Sequence, residues 1–108
     1  MVIDFHTHAF PDFLAPRAME SLAACSQYPP VLGGTVANLK SSMKDAGIDY
    51  SVVLNIATNA KQTAHVNDFA AALTETEGVI PFGSVHPDCE NIAAELARLK
   101  AAGVKGIK

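Results

Sequence analysis

Apolar residues recur at two different periods along this chain. A period of two predicts strands, and recurrence every third or fourth residue predicts helices. The predicted strands are Val2–His8, Tyr50–Ala57, Val79–Val85 and Gly103–Lys108. The predicted helices are Pro16–Ala24, Thr35–Ala46, Thr63–Thr76 and Glu90–Ala102. Strands that alternate with helices in this way indicate parallel βαβ units, so the fold class is expected to be α/β.

Helix ends and buried faces are predicted by the same pattern. Thr35 is the expected N-cap of its helix, Gly47 its C-terminal stop, and Asp88 a candidate cap for the last helix. The expected buried faces are Val36, Leu39, Met43 and Ala46, then Val66, Phe69, Ala70 and Leu73, then Ile92, Leu96 and Leu99. In the first strand, alternation puts Asp4, His6 and His8 on one face and Ile3, Phe5 and Thr7 on the other. Both faces of that strand are expected to be buried or functional.

Strand spacing indicates a barrel-like architecture. The predicted strands start roughly 48, 29 and 25 residues apart, whereas a (β/α)₈ barrel of ~250 residues uses ~31 residues per unit. A chain of 108 residues therefore corresponds to about half a barrel. We expect residues 1–108 to form one domain of about four strands and three to four helices. The alternative is a small, open, doubly wound sheet with flavodoxin-like order.

Composition and charge narrow the function classes. The chain is 49% hydrophobic and 18% charged, which is typical of a globular domain. Its formal net charge of −3 gives no basic footprint for nucleic acid. Cys25 and Cys89 lack the spacing of a redox or zinc motif. With no apparent targeting segment and no bilayer-length apolar run, a cytoplasmic protein without a membrane partner is expected.

The strongest chemical signal is the run Asp4-Phe5-His6-Thr7-His8. Two histidines two apart on a strand project from the same face, with Cα atoms ~6.5–7 Å apart. Their imidazoles can then converge on one ion, which zinc accepts at ~2.0–2.1 Å. Parallel barrels keep their active sites at the carboxyl ends of strands, where this pair lies. We therefore expect His6 and His8 to be metal ligands, with Asp4 supporting them.

The run Ile3–His8 resembles the first-strand signature of the amidohydrolase superfamily. The segments Gly83–Asp88 and Gly103–Lys108 resemble the third and fourth strands of its amidohydrolase-related branch, which includes aminocarboxymuconate-semialdehyde decarboxylase-like proteins. The resemblance implies the N-terminal half of a metal-dependent (β/α)₈ barrel, with His6 and His8 holding a divalent ion, zinc first and manganese or another ion second. It also implies a small-molecule substrate and either hydrolysis or non-oxidative decarboxylation. The family's later ligands and general base lie on strands beyond this sequence, so this chain alone is expected to be inactive.

Other polar residues at predicted strand ends have two interpretations each. His86 either lies at an active-site mouth or bonds the backbone of its own turn. Asn55, Thr58 and Asn59 either line that mouth or serve turn chemistry. Lys108 matches the place of a carboxylated lysine in some family members, but a solvated lysine is the expectation. His65 is expected on a helix surface.

Three further interpretations remain open. The chain can be a catalytically incomplete half-barrel that self-associates, because a four-stranded parallel fragment leaves two edges and an apolar face exposed. On this view its partner is a second copy or a missing C-terminal half. PHP-type phosphoesterases and TatD-like nucleases also begin with a strand bearing the same histidine pair. The segment Ala9–Leu14 fits the PHP pattern less well.

Overall fold

The computed structural model describes residues 1–108 as a four-stranded sheet with four helices. The strands are β1 (Ile3–Thr7), β2 (Tyr50–Leu54), β3 (Val79–Gly83) and β4 (Gly106–Ile107). The helices are α1 (Ala15–Cys25), α2 (Val36–Ala46), α3 (Thr63–Ala72) and α4 (Ile92–Ala101), with a 3₁₀ turn at Ala60–Gln62. None of these helices is both long and apolar enough to cross a lipid bilayer.

The sheet is entirely parallel, and its strands lie in the order β1-β2-β3-β4. The predicted α/β class is therefore confirmed. A flavodoxin-like sheet would instead place its first strand between the second and the third. The doubly wound alternative is therefore wrong for this chain, because each strand pairs with the next in sequence. The strands are shorter than predicted: β2 and β3 end three and two residues earlier, β4 begins three residues later, and β1 is one residue shorter at each end.

One face of the sheet is covered by helices. The core on this face joins Val53 of β2 and Val79 of β3 to Leu39 and Met43 of α2 and to Leu73 at the end of α3. Close contacts at Gly83 extend it. A Cβ built there would lie 2.7 Å from Leu99 Cδ1 and 2.9 Å from Asn67 Oδ1, so α3 and α4 approach the end of β3 closely. Because Gly83 and Val79 are four residues apart on one strand, α2, α3 and α4 all lie on the same side of the sheet.

The opposite side of the sheet, here called the open face, is covered by none of α2, α3 and α4. It consists of Ile3, Phe5, Tyr50, Leu54, Ile80 and Phe82, with Val52 buried among them. Phe5 is 64% exposed and meets Phe82 edge-on, with ring centroids 6.0 Å apart. The Phe82 ring also fills the space above Gly106, where a built Cβ would lie 2.5 Å from ring atoms. The prediction that both faces of β1 are buried or functional does not hold at Phe5 within this chain, because nothing covers that ring.

An irregularity in β1 changes which residues share a face. Asp4 pairs with Ser51 and Thr7 pairs with Val53, so two residues of β1, Phe5 and His6, oppose the single residue Val52. Such a bulge inserts one extra residue into a strand and shifts the alternation beyond it. Asp4 and Thr7 therefore share the covered face, while Phe5, His6 and His8 lie on the side of the open face. The predicted grouping of Asp4 with the two histidines is wrong for this reason.

The predicted ends of α2 are confirmed, whereas the predicted start of α4 is wrong. Thr35 caps α2 with a reciprocal capping box with Asn38, and Gly47 ends it at φ 67°, as predicted. α4 instead begins at Ile92, with Asn91 rather than Asp88 at the N-cap position and no capping side chain. Only Leu99 of its predicted buried face is fully buried, whereas Ile92 and Leu96 are partly exposed. Glu95 of this helix faces α3, where Asn67 donates a hydrogen bond to its carboxylate.

Candidate metal centre

The two histidines of β1 lie side by side at the carboxyl edge of the sheet. The ring centroids of His6 and His8 are 5.2 Å apart, and the ring planes meet at 69°. Rings this close allow one nitrogen of each to reach a shared ion at ~2.0–2.1 Å. Both side chains are exposed, so an ion and its remaining ligands can approach from solvent.

The His8 ring is held by a backbone hydrogen bond. Its Nδ1 lies 2.9 Å from the carbonyl oxygen of Leu54, at the end of the neighbouring strand. A carbonyl oxygen only accepts, so Nδ1 carries the proton and donates it. Nε2 then carries the free lone pair. Metal-binding histidines usually donate their second ring N–H to a carbonyl or carboxylate in this way, which fixes the ring orientation and the tautomer.

Asp4 acts on the backbone rather than on an imidazole. Its Oδ1 accepts a hydrogen bond from the His6 backbone N–H at 3.1 Å. The carboxylate thereby satisfies a backbone donor within the bulge. Thr7 fixes the other side of the bulge, because its buried hydroxyl donates to the Val52 carbonyl oxygen at 2.8 Å. Together these bonds hold the segment that carries the two imidazoles.

The chain supplies two of the ligands that a metal centre would need. No group of three or more His, Cys, Asp or Glu side chains within residues 1–108 has an arrangement that could hold a metal ion. The pair at β1 fits zinc chemistry in ligand type, tautomer and proximity. Since zinc takes four ligands, the other positions would be filled by water or by groups from another polypeptide.

The other predicted site residues have local partners. His86 closes a turn, because its Nδ1 accepts the Asp88 backbone N–H at 3.2 Å. Asn55 is buried, and its Nδ2 donates to the Phe82 carbonyl oxygen at 2.8 Å, so it ties β2 to β3. Thr58 and Asn59 bond Gln62 within their own turn. The backbone N–H of Lys108 donates to Gly83, and His65 is exposed on α3, as expected.

A second polar cluster, at the end of β3, was not predicted from the sequence. The Asn67 side chain is fully buried and pairs twice with the backbone of Ser84. Its Oδ1 accepts the Ser84 N–H and its Nδ2 donates to the Ser84 carbonyl oxygen, both at 2.8 Å. The Ser84 hydroxyl in turn accepts the Ala57 N–H at 3.0 Å. The one available signal was the helical spacing of Thr63, Asn67 and Ala70, which are the buried residues of α3.

Charged side chains extend this cluster toward solvent. Glu95 Oε1 accepts from Asn67 Nδ2 at 2.8 Å, and the Arg98 guanidinium binds both Glu95 oxygens, at 2.7 and 3.0 Å. Arg98 also reaches Asp68 at 2.7 Å. The hydrogen bond from Arg98 holds the pKa of Glu95 below its usual range against the opposing effect of partial burial. The hydrogen bonds from Glu95 and Asp68 raise the pKa of Arg98 further above its usual range.

Comparisons of this protein with protein-family models, curated proteins and solved structures give no match. The fold and the site therefore define its class by themselves. It is an α/β protein with an all-parallel sheet, helices on one face, and an exposed pair of imidazoles at the carboxyl edge.

Proposed function

We propose that this chain provides the first-strand ligands, His6 and His8, of a divalent metal centre in an amidohydrolase-type enzyme. The reaction is hydrolysis at a carbonyl, C–N or ester centre of a small molecule, or a related non-oxidative decarboxylation. The observation that carries the proposal is the bond from His8 Nδ1–H to the Leu54 carbonyl oxygen, because it leaves Nε2 free beside the His6 ring. Zinc is the first candidate ion, since imidazole suits it.

The protein residues have separable tasks in this proposal. The Leu54 carbonyl orients the His8 ring, and the Asp4 carboxylate fixes the backbone at His6. A bound divalent ion would supply Lewis-acid polarisation and a more acidic water. The remaining ligands and the general base would come from outside residues 1–108, as the amidohydrolase resemblance implies.

The architecture supports this placement of the site. Parallel α/β sheets bind ligands outside the carboxyl ends of their strands. His6 and His8 lie at that edge on the side of the open face, and both side chains are exposed to solvent. Sequential strand order with α2, α3 and α4 on one face is also the arrangement of consecutive units in a (β/α)₈ barrel. The interpretation of residues 1–108 as a half-barrel is part of this proposal.

We also propose that the protein is cytoplasmic, because Cys25 and Cys89 are both free thiols, as is usual in a reducing compartment.

A second candidate is a catalytically incomplete half-barrel that does not bind metal. The observation that favours it is the exposed apolar surface of the open face together with the free edges of β1 and β4. It differs from the first proposal in one measurable property, which is metal affinity.

Metal binding distinguishes these two candidates directly. We would titrate the chain with Co²⁺, which gives a visible absorption signal, and then displace Co²⁺ with Zn²⁺. We expect one ion per pair of imidazoles and a loss of affinity of at least ~10–100-fold in H6A and in H8A. H65A is the matched control, because it removes an exposed histidine outside the site. Equal affinity in H6A, H8A and H65A would contradict the proposal and favour the incomplete module.

A further inference from the structure

The sheet of this protein is covered on one side only. All-parallel sheets occur almost exclusively with both faces covered, because both faces carry apolar side chains. Here the open face exposes Ile3, Phe5 and Tyr50 by 45%, 64% and 40% of their surfaces. The residues that define it are uncharged, and His6 and His8 lie on the same side of the sheet at its carboxyl edge. A surface of this composition is typical of a buried interface.

The overall dimensions agree with a missing layer. The chain measures 40 × 34 × 21 Å along its principal axes. Its shortest dimension is that of one sheet and one helix layer, since a helix with its side chains is ~10–12 Å across. A chain of 11.3 kDa usually exposes ~5,700 Å², but this one exposes 7007 Å².

The extra surface has the size of a dimer interface. The excess is ~1,300 Å² by the usual scaling of surface with mass. Obligate homodimers bury ~1,000–2,500 Å² on each copy. Exposed loop residues contribute part of the excess, and the open face contributes an apolar, continuous part. An interface with one further copy is therefore large enough to bury the excess surface.

The two free edges of the sheet suggest how that copy is placed. β1 pairs only with β2, and β4 pairs only with β3, so both outer strands present unpaired backbone groups. A two-fold rotation about an axis parallel to the strands brings β4 of each copy beside β1 of the other and keeps all strands parallel. Eight strands are enough to close a barrel whose interior is filled by side chains.

We propose that a second copy of this chain covers the open face, with the β1 and β4 edges of the two copies paired into an eight-stranded closed sheet. This arrangement does not depend on the metal centre. One symmetric contact removes both edges and buries the apolar face. It also brings the imidazole pairs of both copies to the same rim of the barrel.

Sedimentation velocity in EDTA measures this association without any contribution from metal. We expect twice the chain mass of 11.3 kDa at micromolar concentration. F5E places a charge in the open face and should shift the protein to monomer. We expect the dissociation constant of the dimer to rise at least ~100-fold, as for the loss of an interface anchor. F13E is the matched control, because Phe13 is an exposed loop phenylalanine, 82% accessible. It should remain dimeric.

A second variant tests the edge pairing. The Val2 carbonyl accepts the Tyr50 N–H, so alternation points the backbone groups of Ile3 away from β2, toward the free edge. I3P removes one outward N–H and no ladder bond within the chain. It should weaken the dimer while leaving the circular dichroism spectrum unchanged. If the unsubstituted chain sediments as a monomer at all concentrations, the proposal is overturned, and a different polypeptide would have to cover the open face. A dimer that F5E does not weaken overturns it as well.

Discussion

The ends of β1 and β3 lie on the same edge of the sheet, yet their polar groups are arranged in opposite ways. At the end of β3, Asn67 is fully buried, and its amide oxygen and nitrogen both bond the backbone of Ser84. At the end of β1, His6 and His8 are exposed, and one ring nitrogen has a backbone partner. The first arrangement is complete and stabilises the fold. The second retains free lone pairs, which is what a ligand site needs.

The largest expected effect is at Asn67. N67D keeps the shape of the side chain but removes the donor to the Ser84 carbonyl and places a carboxylate beside Glu95. An unsatisfied buried group and a repelled charge together should lower the free energy of unfolding by about 3 kcal/mol. Urea denaturation measures this. N59D is the control, because exposed Asn59 uses only its acceptor oxygen. Similar losses in both variants would mean that the cluster does not hold β3.

A smaller, pH-dependent effect is expected at Glu95. Its pKa is lowered in the folded state, so its contribution to stability is complete above the ordinary pKa of 4.5 and is lost as the pH falls through the folded value. E95Q should cost about 1–2 kcal/mol at pH 7. The variant should also lose less stability on acidification than the parent. Thermal melts at pH 7 and at acidic pH measure both effects, and parallel pH profiles would exclude this role for Glu95.

The smallest expected effect on stability is at the histidine pair. Without metal, H6A should change the free energy of unfolding by less than ~0.5 kcal/mol, because the ring is exposed and has no hydrogen-bond partner. With excess Zn²⁺, the parent protein should melt at a higher temperature and H6A should not, since a ligand stabilises only the state that binds it. Melting curves with and without Zn²⁺ test this. A large loss of stability in metal-free H6A would show that the histidine pair stabilises the fold, as the Asn67 cluster does at the end of β3.

The sequence was sufficient where local chemistry determines the structure. Thr35 and Gly47 set the ends of α2 through a capping box and a left-handed residue, and both are visible in the sequence. The period of the apolar residues likewise predicted the parallel α/β order. It could not predict the bulge at Phe5 and His6, because the register of β1 depends on its pairing with β2. Asn67 was also missed, because a polar residue is buried in a helix only when distant partners satisfy it.

The candidate site was predicted in part. The pairing of His6 with His8 follows from their spacing, but the proton on His8 Nδ1 depends on the Leu54 carbonyl of another strand. Asp4 was expected to support an imidazole and instead supports the backbone of the bulge. Spacing along one strand predicts proximity. The hydrogen bonds that orient each ring come from neighbouring strands.

The bulge makes the position of the site depend on the register of β1. If β1 kept its present length and the pairing of Asp4 with Ser51 but lost the bulge, regular pleating would place both imidazoles on the side of Ser51 and Val53, under α2. With the bulge, His6 and His8 stay on the accessible side while Thr7 remains anchored to Val52. Deletion of Phe5 would remove the extra residue and leave His6 opposite Val52, so a shorter β1 could keep the site accessible without a bulge.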